Sequence, residues 1–264
     1  MTPECRCSLR EQNVLIAGAI NDLTEKDSTM AKSTVDEIRE RFDNDVERFS
    51  NLETGQSAAI DASISLELVA KAANAATPNA KRLLDIGCGA GNFSLRTLGE
   101  GSYQSVTLVD LSQPMLERAV QRIQGSHDTE IASHQTDIRN LELGREKFDV
   151  VVAGAVLHHL RTDEEWDATF RKIFDALRPG GSFWIFDMVV SANEAVHKLQ
   201  EERYGRYLSE LKDDEYRDHV FSYIEKEDTP KPLIYQLELL RQAGFSQVDV
   251  LHFNTRFAAF GGVK

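Results

Sequence analysis

The sequence predicts an α/β domain: a doubly wound, mostly parallel seven-stranded sheet with helices on both faces and an antiparallel hairpin at its C-terminal edge. Three observations predict it. Between residues 80 and 190, short apolar runs rich in β-branched residues alternate with amphipathic ones, the pattern of right-handed βαβ crossovers. The first of these runs leads into a glycine-rich loop, Gly87-Cys88-Gly89-Ala90-Gly91. Two strand-like runs, Val248–Phe253 and Arg256–Phe260, then flank Asn254-Thr255 near the end of the chain, as an edge hairpin would.

Taken in order, residues 1–32 lack sustained periodicity and read as a mobile extension, and 33–264 read as one domain. Val35, Ile38, Phe42, Val46 and Phe49 recur at helical steps, and a second helix is expected over Ser57–Ala73. These N-terminal helices occupy 33–78, and Pro78-Asn79 ends them. The expected core, 80–190, begins with strand Arg82–Ile86 and a helix starting over Asn92–Leu98. Strand Ser105–Val109 precedes helix Pro114–Ile123, with Ser112 as its N-cap. Strands Ile131–Gln135 and Phe148–Val152 follow. An amphipathic helix, Glu164–Leu177, is expected to stop at Pro179-Gly180-Gly181 before a fifth strand, Ser182–Val189. Residues 191–245 read as a polar helical insert and a last helix, Leu233–Ala243 with Gly244 behind it. The edge hairpin takes 246–264.

Bulk properties narrow the function. A chain of 264 residues with 41% hydrophobic and 28% charged residues can bury a full core and is not a disordered protein. A net charge of −13 disfavours long-range attraction to nucleic acid or anionic membrane; a small-molecule substrate is expected, with nucleic acid left open because a local basic patch is compatible with this charge. No run reaches the ~20 apolar residues of a membrane span, so the expected location is the cytoplasm. Cys5, Cys7 and Cys88 make no disulfide framework, and the Cys5/Cys7 pair is a poor metal site without further Cys or His. No metal is expected elsewhere, because Val151–Leu157 offers no clustered carboxylates.

The chemistry lies in the loop. Glycines at 87, 89 and 91 allow a sharp turn and close approach of a ligand, and the following helix aims N–H groups at it. On its own such a loop is also found in ordinary tight turns. Asp110, ending the second strand, can accept from both hydroxyls of an adenosine ribose. Asp137, just after the third, can accept from an adenine amino group while the next N–H donates. A dinucleotide loop would read G-x-G-x-x-G, whereas here the register is G-x-G-x-G. Asp85, two residues before Gly87, suits an ammonium and a sulfonium better than a pyrophosphate. The balance favours S-adenosylmethionine over NAD.

At these residues the chain resembles a known family. Leu84–Gly91, Val109-Asp110-Leu111-Ser112 with Met115, Asp137-Ile138, Phe148–His159 and Leu177-Arg178-Pro179-Gly180-Gly181 are similar to the successive motifs of class I S-adenosylmethionine-dependent methyltransferases, across roughly 80–190. The resemblance implies that Asp85, Gly87 and Gly89 line the methionine moiety, in a loop with Cys88 and Gly91. It implies that Asp110 holds the ribose, that Leu111 and Met115 pack around adenine, and that Asp137 and Ile138 bind its edge. Gly154, Ala155 and His158 would face cofactor and substrate, and S-adenosylhomocysteine would be the product. No catalytic residue is obligatory, because the sulfonium is an activated leaving group and alignment supplies much of the acceleration; His158 is the candidate base.

Acceptor recognition is expected from outside these motifs: Phe42, Phe49 and Gln56, or Arg203, Tyr204, Arg206, Tyr207, Tyr216 and Arg217. Arg203 and Tyr207, four apart, would share a helix face able to grip a carboxylate or phosphate, although a mixed Arg/Glu/Tyr helix is also an ordinary solvated surface. Arg41-Phe42-Asp43, Asp228-Thr229-Pro230 and Gln242-Ala243-Gly244-Phe245 are similar to the branch containing the tRNA wobble-uridine carboxymethyl pathway enzymes. That branch implies a second reading, synthesis of carboxy-S-adenosylmethionine, with an Arg in 199–217 holding the extra carboxylate. A third is a non-catalytic S-adenosylmethionine-binding protein.

Overall fold

The computed structural model describes residues 32–51 and 56–264. The expected extension over 1–32, with Cys5 and Cys7, lies outside the described residues apart from Lys32. Residues Ser33–Lys264 make one compact unit.

Seven strands build one sheet: β1 (Arg82–Ile86), β2 (Ser105–Asp110), β3 (Glu130–Gln135), β4 (Phe148–Gly154), β5 (Leu177–Met188), β6 (Gln247–Asn254) and β7 (Phe257–Val263). Their order is β3-β2-β1-β4-β5-β7-β6. The first five pair in parallel, and β7 joins β5 and β6 antiparallel. The chain runs outward from β1 through β2 to β3, then returns to the other side of β1 as β4. That reversal opens a crevice beyond the carboxyl ends of β1 and β4.

Strand periodicity sorts side chains to two cores. Leu83, Val150, Val152, Trp184 and Phe186 face one core, with Leu66 and Val69 of α3 (Ala62–Ala76) and Leu116 and Ile123 of α5 (Gln113–Gln124). Leu84, Val151, Ala153, Phe183 and Ile185 face the other, with Trp166 and Phe170 of α6 (Asp163–Ala176) and Leu240 of α9 (Leu233–Ala243). The remaining crossover helix, α4 (Asn92–Glu100), starts at the glycine loop.

Local chemistry moves several expected boundaries. The first helical pattern divides into α1 (Val35–Asp43) and α2 (Val46–Ser50). Helix α3 begins at Ala62 rather than Ser57, because Asp61 takes a left-handed conformation (φ 59°). Its carboxylate is held there by His252 Nε2 and Asn254 Nδ2, each at 2.8 Å. Helix α6 ends at Ala176 and passes directly into β5, which already contains Pro179-Gly180-Gly181; a residue before proline favours extended backbone over helix. The polar insert is two helices, α7 (Glu194–Leu211) and α8 (Asp214–Glu227), divided where Asp213 accepts from Tyr216 N at 2.7 Å. Among the described residues no helix is long and apolar enough to cross a membrane.

Candidate active site

A cavity of about 260 Å³ fills the crevice. Its floor is the glycine loop and the ends of β1, β2 and β4, and its roof is Ile38 and Phe42 of α1, Phe49 of α2, and Gln56. Gly87 and Gly89 shape the floor. The Gly87 N–H donates to Val109 O at 2.7 Å, which requires φ 65°, and a Cβ there would meet Val156 Cγ2 at 2.3 Å. Gly89, at φ 49°, has nothing within 4 Å of a would-be Cβ. The floor is thus crowded behind and open in front, a cradle for a ligand. Ala155 shares this wall with φ 53°, a left-handed conformation that costs a non-glycine residue about 1–2 kcal/mol and recurs at functional sites.

Three acidic side chains surround the floor in different states. Asp110 accepts from Gly89 N (2.8 Å) and Ser112 N (2.9 Å), one bond on each oxygen. Burial raises its pKa despite those bonds. Each oxygen keeps further lone pairs for a ligand's hydroxyls. Asp137 also lines the cavity, but its carboxylate is gripped by Arg139, with Nε at 3.0 Å and Nη2 at 2.6 Å. Burial acts to raise its pKa and the Arg139 bonds more than reverse this, leaving it lowered. Asp85 is 1% exposed, bonds Ser94 Oγ at 2.6 Å, and leaves Oδ1 without a hydrogen-bond partner. Burial pushes its pKa up to about 7. Cys88 lines the cavity as a buried thiol, with its pKa pushed far up by burial and by the charges of Asp110 and Asp85.

The roof is tied down by specific bonds. Asn92, at the start of α4, donates to Phe49 O at 2.9 Å, and Arg118 Nε donates to Ser50 Oγ at 3.2 Å. A capping box on Thr34 and Glu37 starts α1. Ser33 Oγ donates to Glu227 Oε1 at 2.8 Å, and Arg161, itself on the cavity wall, donates to Ser33 O at 3.2 Å.

Behind this wall lies a buried ionic cluster. His158 Nδ1 bonds Asp187, whose carboxylate is wholly buried and also accepts from Leu157 N at 2.7 Å. The Nε2 of His158 is 3.6 Å from Asp228 Oδ1, and His159 Nδ1 is 3.3 Å from the same oxygen. Desolvation disfavours the His158 cation, but Asp187 and Asp228 outweigh it and raise its pKa to about 9. His159 is driven the other way by burial and by the charges of His158, Arg41 and Arg161, so it is neutral.

Gly87, Cys88, Gly89, Asp110, Leu111, Met115, Asp137, Ile138, Gly154, Ala155 and Phe49 all line the cavity. Nine expected site residues do not, among them Arg206 of α7 and Tyr216 and Arg217 of α8. Asp85 sits beneath the loop, bonded to Ser94. Gly91 caps α4 and faces Ala119. His158 is turned to Asp187 and Asp228, and His159 takes the place on the wall. Tyr204 and Tyr207 point their hydroxyls at Ala58 O (2.8 Å) and Ser57 O (2.6 Å), clamping the segment before α3. Arg203, beside them, is exposed. The wall residues that sequence reasoning missed are chiefly Arg139, His159 and Arg161. They follow strands 3 and 4, where the pattern showed loops and assigned no side chain a direction.

The cradle fits S-adenosylmethionine. Asp110 would hold the ribose hydroxyls, Leu111, Met115 and Ile138 would enclose adenine, and the open face of Gly89 admits the methionine backbone. The orphaned, acidic Asp85 Oδ1 beneath the loop suits a cationic ligand better than a pyrophosphate. Comparisons with known proteins agree. Residues 83–181 match the family described as "Methyltransferase domain". A carboxy-S-adenosyl-L-methionine synthase of Shewanella piezotolerans is 30% identical over 199 residues, 72% of this chain and 78% of that protein. The putative methyltransferase YqeM of Bacillus subtilis is 36% identical over 115 residues, 43% of this chain and 44% of its own. In fold, a SAM-dependent methyltransferase from Leishmania major superposes with a TM-score of 0.56 at 15% identity, covering 84% of this chain and 82% of that one.

Proposed function

Because the chain belongs to the class I S-adenosylmethionine-dependent methyltransferases, we propose that its methyl acceptor is a small molecule, methylated under the roof formed by α1 and α2. The protein is an S-adenosylmethionine-dependent methyltransferase and uses that cofactor. The observation that carries the acceptor class is the apolar roof. Ile38, Phe42 and Phe49 line the cavity from above, and Asn92, just after the glycine loop, donates to Phe49 O and ties α2 down. A polymeric substrate would need an open, positively charged groove there, against a net charge of −13. When bound, S-adenosylmethionine supplies a methyl group on a sulfonium, an activated leaving group. The residues of the chain then have three tasks: to bind it, to align the acceptor, and to exclude water. Residence in the cytoplasm belongs to the same proposal and is checked by fractionation.

The similarity to carboxy-S-adenosyl-L-methionine synthases favours a second reading, carboxylation of the cofactor. The Arg expected for it within 199–217 is not on the cavity wall; Arg161 is the guanidinium beside the roof, and it is already bonded to two backbone carbonyls. Native mass spectrometry of the purified protein separates the readings. Retained S-adenosylmethionine or S-adenosylhomocysteine supports methyl transfer. A mass greater by one carboxyl group supports the second reading. Transfer of label from methyl-labelled S-adenosylmethionine to tRNA rather than to small molecules would overturn the acceptor class.

A further inference from the structure

His158, His159 and Asp228 come from two separate stretches of chain, the turn after β4 and the residue after α8, and converge at the cavity wall, with His159 on the wall and His158 and Asp228 buried behind it. One ring nitrogen from each histidine and a carboxylate oxygen of Asp228 all lie within 4.8 Å of one another. Asp228 Oδ1 stands 3.6 Å from His158 Nε2 and 3.3 Å from His159 Nδ1. Zinc bonds nitrogen and oxygen at about 2.0–2.2 Å, so two of its ligands at tetrahedral vertices stand roughly 3.3–3.5 Å apart. The 3.3 Å spacing falls in that range and the 3.6 Å spacing lies just above it.

A second observation is independent of the spacing. His159 Nδ1 is buried and makes no hydrogen bond, although a carboxylate oxygen is 3.3 Å away. Such an atom is costly unless something else satisfies it. A third is the support behind His158. The wholly buried Asp187 takes its Nδ1 and leaves Nε2 to face Asp228, while also accepting from Leu157 N, His158 N and Met188 N. A carboxylate holding the far nitrogen of a ligating imidazole is the usual outer shell of a metal site. The surrounding charges permit a cation: Asp187, Glu227 and Asp228 stand against Arg41 and Arg161.

We infer that His158, His159 and Asp228 form a site for a divalent transition-metal cation of zinc type, with Asp187 orienting His158. Two imidazoles and one carboxylate suit zinc, iron or cobalt rather than magnesium or calcium, and they leave a position for water or a small ligand. The ion would clamp the turn after β4, which carries the cavity wall, to the segment after α8. The same two stretches are already joined by Thr229, whose N donates to His158 O at 2.8 Å and whose hydroxyl donates to Leu160 O at 2.6 Å. The site does not depend on which acceptor is methylated.

The test uses the full chain, stripped with chelator and titrated with Zn²⁺ alone by calorimetry and with Co²⁺ alone by visible absorption. One Zn²⁺ per chain and intense tetrahedral Co²⁺ bands are expected. Asp228→Asn and His159→Gln should each weaken Zn²⁺ by about a hundredfold or more, Asp187→Asn by roughly ten- to a hundredfold, and His127→Gln not at all. Circular dichroism checks that the variants are folded. If they are not, the Co²⁺ spectrum of the unaltered protein decides, since a weak, water-like spectrum places the ion elsewhere. Absence of Zn²⁺ binding, or binding that survives both Asp228→Asn and His159→Gln, overturns the inference.

Discussion

Both oxygens of Asp110 already accept backbone N–H groups, from Gly89 and Ser112, so the side chain that would grip the ribose also braces the loop beneath it. Asp110→Ala should therefore cost S-adenosylmethionine about 2–4 kcal/mol, roughly thirtyfold to a thousandfold in Kd. Calorimetry measures it, with circular dichroism as the check on folding, and unchanged affinity removes Asp110 from the site. Asp85 offers a pH test. Its pKa is pushed up to about 7 in the folded chain, against about 3.9 unfolded, so between those values the folded state holds a proton that the unfolded state has lost. Stability is then greatest below about pH 4 on this account and falls as pH rises toward 7, by about 4 kcal/mol at most. Asp85→Asn, which cannot ionise, should flatten that slope in denaturant titrations at pH 5 and pH 8. An unchanged slope would mean that Asp85 is ionised in the free protein.

At the scale of elements, the site depends on a roof held by few bonds. Helix α1 is nine residues long and starts with a reciprocal pair, Thr34 N to Glu37 Oε2 at 2.8 Å and Glu37 N to Thr34 Oγ1 at 3.3 Å. Thr34→Ala should destabilise that helix by about 1 kcal/mol. Because α1 places Ile38 and Phe42 over the cavity, hydrogen exchange over 35–43 should speed up and bound S-adenosylmethionine should dissociate faster. Helix α7 is different. Tyr204 and Tyr207 clamp Ser57 and Ala58 and do not reach the cavity. The double variant Tyr204→Phe with Tyr207→Phe should lose about 1 kcal/mol per hydroxyl in stability while S-adenosylmethionine affinity stays the same. A fall in affinity would show that the segment before α3 transmits to the roof.

Across the whole molecule, the cofactor crevice joins both cores: Leu111, Met115 and Ile138 come from connections on different sides of the sheet, and α1 and α2 close over them. Ligand binding should accordingly stabilise the domain as a unit. S-adenosylmethionine at a hundredfold over its Kd should add about 2.7 kcal/mol, roughly 5–10 °C in Tm for a domain of this size. A scan with and without ligand reads this directly, and no shift would mean that the cavity is not the binding site.

The fold and the floor of the site were legible because both are written in local sequence. Strand alternation, the Gly87–Gly91 loop and the acidic residues at the strand ends are short-range patterns whose geometry follows from backbone sterics and hydrogen bonding. Elements bounded by strong local signals, such as α9 with Gly244 behind it, were therefore placed correctly. The start of α3 was not, because Asp61 is held by His252 and Asn254 from the far hairpin. The same holds for the side chains: an Arg/Tyr face on α7 looks like an anion grip until packing turns its hydroxyls onto Ser57 and Ala58, and adjacent histidines exchange roles once Asp187 and Asp228 arrive. The sequence by itself determined the class of domain, the family and the glycine loop that floors the cavity. Only the tertiary structure decided which side chains line the cavity and which lie behind it, because burial and partners distant in the chain set those directions.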